Sequence, residues 1–357
     1  MASTGHDESR LRKGHRDALG VGVLVLLLGL FCVHVAVGSV YIPLRDVVRV
    51  LTGQGADKEA WETIILMFRL PRALTAVLAG AALAVSGLQM QTLFRNPLAD
   101  PYVLGINAGA SLGVALVVLA SGVLGQVVSL ANLGTTGDLS IALGASLGAA
   151  AVFLIVVAVS RKVSGNMTLL ILGLMFGYVT SSAVTILLHF AVREHIQAFV
   201  VWTFGSFSGV TWGQLRVLAP VVLAGLALCF SYVKPLNALL LGEAYAGSMG
   251  LNVRRTRLGL IGSTSLLAGV VTAFCGPIGF LGIAVPHLCR SLFSTSDHRV
   301  LVPAVTMVGA SLALVADLVA QLPGSDAILP LNAVTSLLGA PVVIWIVLRQ
   351  RGAGVSA

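Results

Sequence analysis

Long apolar runs, separated by short breaks rich in polar residues, glycine or proline, fill most of this chain. A helix that crosses a bilayer needs about 20 predominantly apolar residues. Ten runs approach or reach that length, and they cover residues 18–40, 72–93, 101–122, 138–160, 167–190, 213–233, 257–275, 276–292, 300–322 and 328–348. Gly276 and Pro277 alone separate the seventh run from the eighth. The pattern predicts an all-α polytopic membrane protein with about ten transmembrane helices.

The apolar runs divide the chain into one membrane domain and two short tails. Residues 1–17 are predicted to form a cytoplasmic tail, 18–350 a single transmembrane domain and 351–357 a second cytoplasmic tail. A cleaved signal peptide is the competing interpretation of the first run, because Ala36-Val37-Gly38 is similar to a cleavage site. The run is about 20 residues long, whereas the apolar part of a signal peptide usually has 7–15. A retained first helix is therefore favoured.

Composition and charge agree with a membrane protein. The chain is 57% hydrophobic and only 10% charged, whereas soluble domains have about 25% charged residues. The net charge of +8 does not indicate nucleic-acid binding, because the basic residues lie at the ends of apolar runs. With the N-terminus inside, 15 of the 22 lysines and arginines fall on the cytoplasmic side. The positive-inside rule then places both termini in the cytoplasm.

Parts of the chain repeat one another. Leu78-Ala79-Gly80 recurs as Leu267-Ala268-Gly269, and in both copies a glycine and then a proline follow at the same spacings. Gly109-Ala110-Ser111-Leu112 recurs as Gly309-Ala310-Ser311-Leu312. Internal repeats whose helices break at matched positions are typical of transporters. Chance similarity between segments rich in Gly, Ala and Leu is the alternative, and the constant spacing favours an internal repeat of helix groups.

The polar segment 234–256 is the largest interruption on the cytoplasmic side. It has a Gly-Glu turn at Gly242-Glu243 and is predicted to form one or two short amphipathic helices. The chain contains no G-x-x-x-x-G-K-[ST] phosphate-binding sequence, which nucleotide hydrolysis of the P-loop type requires. A structured cytoplasmic segment on a chain without a motor of its own indicates a surface on which a separate motor docks.

Several other polar residues could carry function, and each has a structural alternative. Residues 94–101 form an irregular turn that is either a simple connection or a constriction at the inner mouth of a pathway. Arg69 and Arg72 lie at the outer mouth of the second run, where they either anchor at the interface or capture carboxylates of a docking protein. Asp317 is the clearest carboxylate in a late run and is expected to face the interior. His287 is expected to have a hydrogen-bonded structural role.

These residues together resemble the FecCD-type permease subunits of type II ABC importers, which handle iron chelates, haem and cobalamin. The matching stretches extend over nearly the whole chain after residue 60 and lie at 69–87, 95–113, 241–251, 276–290, 295–311 and 338–349. The resemblance implies a ten-helix permease that forms a dimer, in this chain a homodimer, around a central translocation path. Two cytoplasmic ATPase subunits and a periplasmic or extracellular substrate-binding protein would be its partners.

The resemblance also assigns roles to individual residues. Contact with the ATPase subunits falls to Gly242, Glu243, Ala246, Gly250 and Leu251. Docking of the binding protein falls to Arg69 and Arg72, and the cytoplasmic gate to Asn96, Pro97, Leu98, Asn166 and Met167. Where some relatives have a further outer arginine this chain has Gln321, so docking would depend more on Arg69 and Arg72. The second gate position, often small and hydroxylated, is Asn166-Met167 here.

The resemblance implies no catalytic residue, metal site or cofactor in this chain, and it places the protein in a bacterial inner membrane. A ferric siderophore or haem is the favoured cargo, and cobalamin is the alternative. An ion-coupled secondary carrier would need pairs of ionisable groups within the membrane, and the sequence offers only Asp317 and His189. An intramembrane enzyme ranks last, because H-E-x-x-H, G-x-S-x-G and paired membrane aspartates are absent.

Overall fold

A computed structural model describes residues 4–38, 40–123, 135–160, 166–322 and 328–354, and within these ranges the chain is helical without strands. The fifteen α-helices, with their bounds, are α1 Thr4–Ala36, α2 Leu44–Leu51, α3 Glu59–Thr63, α4 Leu70–Phe94, α5 Ile106–Val123, α6 Thr135–Ser160, α7 Asn166–His189, α8 Arg193–Thr203, α9 Trp212–Ser231, α10 Val233–Leu240, α11 Glu243–Ser248, α12 Val253–Cys275, α13 Leu281–Phe293, α14 His298–Ala320 and α15 Leu331–Gly354. A π-helical segment, Ile64–Arg69, joins α3 to α4, and a 3-10 helix, Pro101–Leu104, precedes α5.

Among the described residues, seven helical stretches are long and apolar enough to cross a membrane, and three shorter apolar helices accompany them. Each of the ten predicted runs coincides with one of these stretches. The predicted class, an all-α polytopic membrane protein, is confirmed. Because three of the helices are shorter than a full crossing, the count of ten spans stays a prediction, as does the cytoplasmic location of both termini.

Helix α4 forms the centre of the bundle. Every residue from Ala79 to Phe94 is buried, and the helix packs against α9, α12, α13 and α14. The small residues of α4 allow this packing, because they let neighbouring backbones approach closely. The closest approach is at Gly87, where a Cβ atom would lie 1.8 Å from the carbonyl oxygen of Gly282 at the start of α13.

Replacing Gly87 with valine is therefore expected to destabilise the bundle. The added side chain would have to push α13 away from α4, and overpacking of this kind typically costs about 1–3 kcal/mol. Thermal unfolding of the detergent-solubilised chain measures the effect. Gly262→Val is the matched control, because a Cβ atom there would meet only the far end of Phe153 at 4.0 Å. Equal midpoints for the two variants would contradict the close packing of α4 on α13.

Several predicted boundaries are wrong by a few residues, and the structure gives the reasons. The third run begins as the 3-10 helix, and Gly105 with φ of +78° separates it from α5. The eighth run begins at Leu281, because residues 276–280 connect α12 to α13 without helical structure. The first helix extends from Thr4 to Ala36, so the predicted tail is partly helical and the run ends before Val40.

The internal repeat is not accompanied by matched helix breaks. Gly87 lies inside α4, whereas its counterpart Gly276 ends α12 with φ of +73°. Pro97 lies in a turn, whereas its counterpart Pro286 lies inside α13. The prediction of breaks at matched positions is wrong at these pairs, and the internal repeat itself stays a prediction.

Candidate functional site

The segment 234–256, here called the coupling loop, forms the two short helices α10 and α11 and leads into α12. Gly242 has φ of +106° and starts α11, and Gly250 has φ of +86° and ends the turn after it. Residues with a side chain rarely adopt such angles. Both glycines singled out in the sequence are therefore required by the backbone of this loop.

The remaining coupling-loop residues singled out in the sequence hold α11 in place. Nη2 of Arg257 on α12 donates hydrogen bonds to both carboxylate oxygens of Glu243, each at 3.0 Å. Ala246 on α11 is fully buried, and the N–H of Leu251 donates to the carbonyl of Ala246 at 3.1 Å. These contacts fix α11 against the membrane-spanning bundle, so that displacement of α11 would be passed to α12.

Beside exposed polar residues such as Ser248 and Arg254, the coupling loop exposes three large apolar side chains. Leu241, Tyr245 and Met249 are exposed over 62%, 54% and 53% of their surface, and they are here called the coupling face. Large apolar side chains exposed together on a rigid support mark a protein–protein contact. The sequence analysis did not single out these three residues, although their regular spacing along the chain was the available signal.

The predicted cytoplasmic gate is the turn that follows α4, here called the gate turn (residues 95–98). Arg95 ends α4 with φ of +49°, and the side chain of Asn96 accepts a hydrogen bond from the N–H of Leu98 at 2.9 Å. Nε2 of His287 on α13 donates to the carbonyl of Pro97 at 2.7 Å. The structural role predicted for His287 is therefore present. The turn is ordered by its own hydrogen bonds and by one from α13, while Leu98 remains exposed.

The second predicted gate lies at the start of α7. Asn166 begins this helix and Met167 is exposed. About two turns further along, α7 packs against the 3-10 helix that follows the gate turn, since a Cβ atom at Gly173 would lie 2.4 Å from the carbonyl oxygen of Val103. The gate turn and the start of α7 thus both lie close in sequence to this contact between α7 and the 3-10 helix.

The start of α14 lies beside the coupling loop. Asp297 caps α14 by accepting from the N–H of Arg299 at 2.9 Å, and it also accepts from the side-chain amide of Asn237 on α10 at 2.6 Å. Burial alone would raise the pKa of Asp297. The two hydrogen bonds and the charge of Arg299 outweigh that effect and hold the pKa below its usual range. The carboxylate is therefore ionised at neutral pH.

The two arginines predicted to dock a binding protein are engaged within the chain. Arg69 is buried, and its guanidinium donates to the carbonyls of Val35 at 2.9 Å, Ala36 at 2.7 Å and Val40. The carbonyls of Val35 and Ala36 lie at the end of α1, where a helix leaves its last carbonyl groups without partners. In this structure Arg69 caps α1.

Arg72 forms a buried ion pair. Its Nε and Nη2 donate to the two carboxylate oxygens of Asp317 at 2.7 and 2.9 Å. Nε2 of His34 on α1 lies 2.7 Å from the same carboxylate, and the amide of Gln321 donates to it at 3.1 Å. Asp317 faces the interior as predicted. The sequence analysis identified no basic partner for Asp317, whereas the structure brings Arg72 and His34 to it. These partners are 245 and 283 residues away in sequence, so no local pattern indicates them.

Known proteins resemble this chain over almost its whole length. A model of the FecCD transport family matches residues 25–349. The vitamin B12 import system permease protein BtuC of Klebsiella pneumoniae is 38% identical over 334 residues, which cover 93% of this chain and 94% of the relative. The hemin transport system permease protein HmuU of Yersinia pestis is 37% identical over 335 residues, covering 93% and 96%.

A solved structure has the same fold. It is described as an inward-facing conformation of a metal-chelate-type ABC transporter, and it superposes with a TM-score of 0.79 and 28% sequence identity over 93% of this chain and 99% of that one. The family model and the relatives cover every stretch on which the sequence resemblance depends. This chain belongs to the FecCD transport family.

Proposed function

We propose that this chain is the permease subunit of an ATP-driven importer and that it forms the translocation path for a metal chelate. The observation that carries the proposal is the coupling face, formed by Leu241, Tyr245 and Met249, on a loop that Glu243 and Arg257 fix to the bundle. An exposed apolar contact on a rigid support suits a partner that pushes on the membrane domain. Membership in the FecCD family supports the same assignment.

ATP hydrolysis belongs to separate subunits in this proposal, and the chain itself is not an enzyme. Two cytoplasmic ATPase subunits dock on the coupling loops, with Gly242 and Gly250 shaping the loop and Glu243, Ala246 and Leu251 holding it. The setting is the cytoplasmic membrane of a bacterium, because the relatives named above are bacterial import permeases.

A second copy of the chain completes the path. Helix α7 exposes large apolar residues that no other part of the described chain covers, among them Met175, Tyr178 and Val179. In the proposed homodimer these helices line the path or the contact between the copies. The gate turn, at Asn96, Pro97 and Leu98, and the start of α7, at Asn166 and Met167, close its cytoplasmic end.

The cargo is a ferric siderophore or haem, with cobalamin as the alternative. One relative is named for vitamin B12 import and another for hemin transport. Both names fit the class of large metal chelates, and the fold alone does not choose among its members.

The test is uptake by proteoliposomes that contain this chain with the ATPase and the binding protein encoded beside it. Labelled ferric siderophore, haem and cobalamin are compared with and without internal ATP. ATP-dependent accumulation of one of the three supports the proposal and names the cargo. Accumulation that needs no ATP and follows an ion gradient contradicts it.

An ion-coupled carrier is the second candidate, and one observation favours it. The ion pair of Arg72 with Asp317, joined by His34, is a buried ionisable cluster of the kind that carriers use. In that case an imposed proton gradient, with ATP absent, would drive uptake, and Asp317→Asn would abolish it.

If Arg69 and Arg72 dock the binding protein, replacing both with glutamate should slow association with that protein, and the size of this effect should depend on salt. Reversal of both charges is expected to slow association by at least about tenfold at low salt, and by less as salt screens the interaction. Surface plasmon resonance on the reconstituted permease measures the rate constants. Both arginines also form hydrogen bonds inside the chain, so the variant could lose stability. Its thermal unfolding is therefore measured as well.

The matched control for docking is Arg45→Glu with Arg193→Glu. Both arginines are exposed, and both lie at the predicted outer end. If this pair slows association and the Arg69/Arg72 pair changes only the unfolding temperature, Arg69 and Arg72 serve to hold α1 and the exposed arginines carry the docking.

A further inference from the structure

The coupling loop is joined to the gate turn by a chain of side-chain hydrogen bonds that crosses three helices. It runs from Asn237 on α10 through His298 at the start of α14 to Thr92 on the last turn of α4. Thr92 is three residues before Arg95, where the gate turn begins. His298 and Thr92 are both buried.

The partners of Asn237 fix the direction of each hydrogen bond. Its side-chain nitrogen donates to Asp297, so its oxygen is the acceptor for the backbone N–H of His298 at 2.8 Å and for Nδ1 of the same residue at 2.7 Å. Nδ1 therefore carries a hydrogen, and in the neutral ring Nε2 is the acceptor. Nε2 lies 2.9 Å from the hydroxyl of Thr92.

The hydroxyl of Thr92 has two possible acceptors. One is Nε2 of His298, and the other is the carbonyl of Leu88 in its own helix, also at 2.9 Å. A hydroxyl has one hydrogen to donate. The hydroxyl of Thr92 can therefore be satisfied within α4 if the contact with α14 is lost, whereas Nε2 of the buried His298 would then lose this donor.

The neighbouring residue on α4 is tied to a different helix. Gln91 accepts from Arg290 on α13 at 2.7 Å and donates to the carbonyls of Gly282 and Ile283. The last turn of α4 is thus held on one side by α13 and on the other by α14 and α10. Only the second connection leads to the coupling loop.

We propose that Asn237, His298 and Thr92 are positioning residues that transmit movement of the coupling loop to the gate turn. The proposal rests on the proposed function, in which ATPase subunits move the coupling loop. A displacement of α10 that lengthens the 2.7 Å contact between Asn237 and His298 would leave buried polar atoms without partners. This cost is avoided if α14 and the end of α4 move together with α10. That joint movement would shift the gate turn.

The test is transport by the complete complex with Thr92→Val, which removes only the hydroxyl. We expect at least about fivefold less cargo transported per ATP hydrolysed, the lower range of typical coupling between sites. Binding of the ATPase subunits should stay unchanged, and the unfolding temperature should fall no further than that of the control variant Thr75→Val, because each change removes one buried hydroxyl. Thr92→Ser keeps the hydroxyl and should restore coupling.

Thr75→Val is the matched control on the same helix. The hydroxyl of Thr75 is buried and donates to the carbonyl of Pro71 in its own helix at 2.7 Å. This variant should transport normally. In a double-mutant cycle, Asn237→Ala and Thr92→Val should together be no worse than the more severe single change, since both would break the same link.

Normal coupling in Thr92→Val, or a loss that Thr75→Val shares, would overturn the proposal. So would a loss explained by weaker ATPase binding, or an unfolding temperature well below that of Thr75→Val, because either would show a merely structural role. These failures leave ATP-dependent transport by the unmodified complex intact. Absence of that transport would instead overturn the proposed function and this inference with it.

Discussion

Reversing the charge of Glu243 to lysine is expected to remove most of the stimulation of ATP hydrolysis by cargo-loaded binding protein. Nη2 of Arg257 holds both oxygens of this carboxylate at 3.0 Å. A lysine there would place two cations together and release α11 from α12. We expect at least a roughly fivefold loss of stimulation, as for the loss of a typical coupling energy. ATPase assays on the reconstituted complex measure it.

Two variants separate this effect from a general change of charge. Glu194→Lys makes the same charge change at an exposed site near the predicted outer end, and it should leave the stimulation intact. Glu243→Arg combined with Arg257→Glu exchanges the partners and should recover part of the coupling, because opposite charges again face each other. Unchanged stimulation in Glu243→Lys would remove the coupling role from this residue.

Replacing Asp317 with alanine is expected to cause the largest loss of stability among these variants. The largely buried Arg72 would lose both carboxylate oxygens that accept its hydrogen bonds, and His34 would lose the carboxylate that it contacts. Removal of one partner of a buried ion pair costs about 3–5 kcal/mol. The thermal unfolding midpoint and the yield of detergent-solubilised protein both report the change.

Two controls separate the loss of the buried pair from the loss of a carboxylate in general. Asp57→Ala removes an exposed carboxylate that pairs with Arg49, and surface pairs contribute only about 0–1 kcal/mol. Arg72→Leu combined with Asp317→Leu removes both charges, and apolar replacement of a buried pair is often neutral. If Asp317→Ala unfolds no more easily than Asp57→Ala, the buried pair does not stabilise the bundle.

The features that sequence reasoning predicted well depend on local pattern. A stretch of about 20 apolar residues specifies a membrane helix largely by itself, so the runs and the all-α class could be predicted. Gly242 and Gly250 were singled out through the family resemblance, and their positive φ gives the physical reason for glycine at both positions. The family resemblance was confirmed, since its motifs are short stretches of contiguous residues.

Boundaries were less predictable where two apolar segments adjoin. Residues 276–280 are apolar or glycine and proline, and hydropathy cannot distinguish a helix from the non-helical connection found there. The π-helical segment Ile64–Arg69 likewise extends α4 towards the N-terminus, and the amino-acid composition did not indicate it.

The partners of the polar residues were decided by the tertiary structure alone. The sequence shows Arg69 and Arg72 as a pair near a helix end, and this pattern fits interfacial anchoring and docking equally well. The fold brings the end of α1 to Arg69 and Asp317 to Arg72, and so gives both guanidinium groups acceptors inside the chain. The same holds for Asn237, His298 and Thr92, which are far apart in sequence. Membrane helices are specified by local hydropathy, whereas contacts between them depend on which faces pack together, and a single sequence does not contain that information in any local pattern.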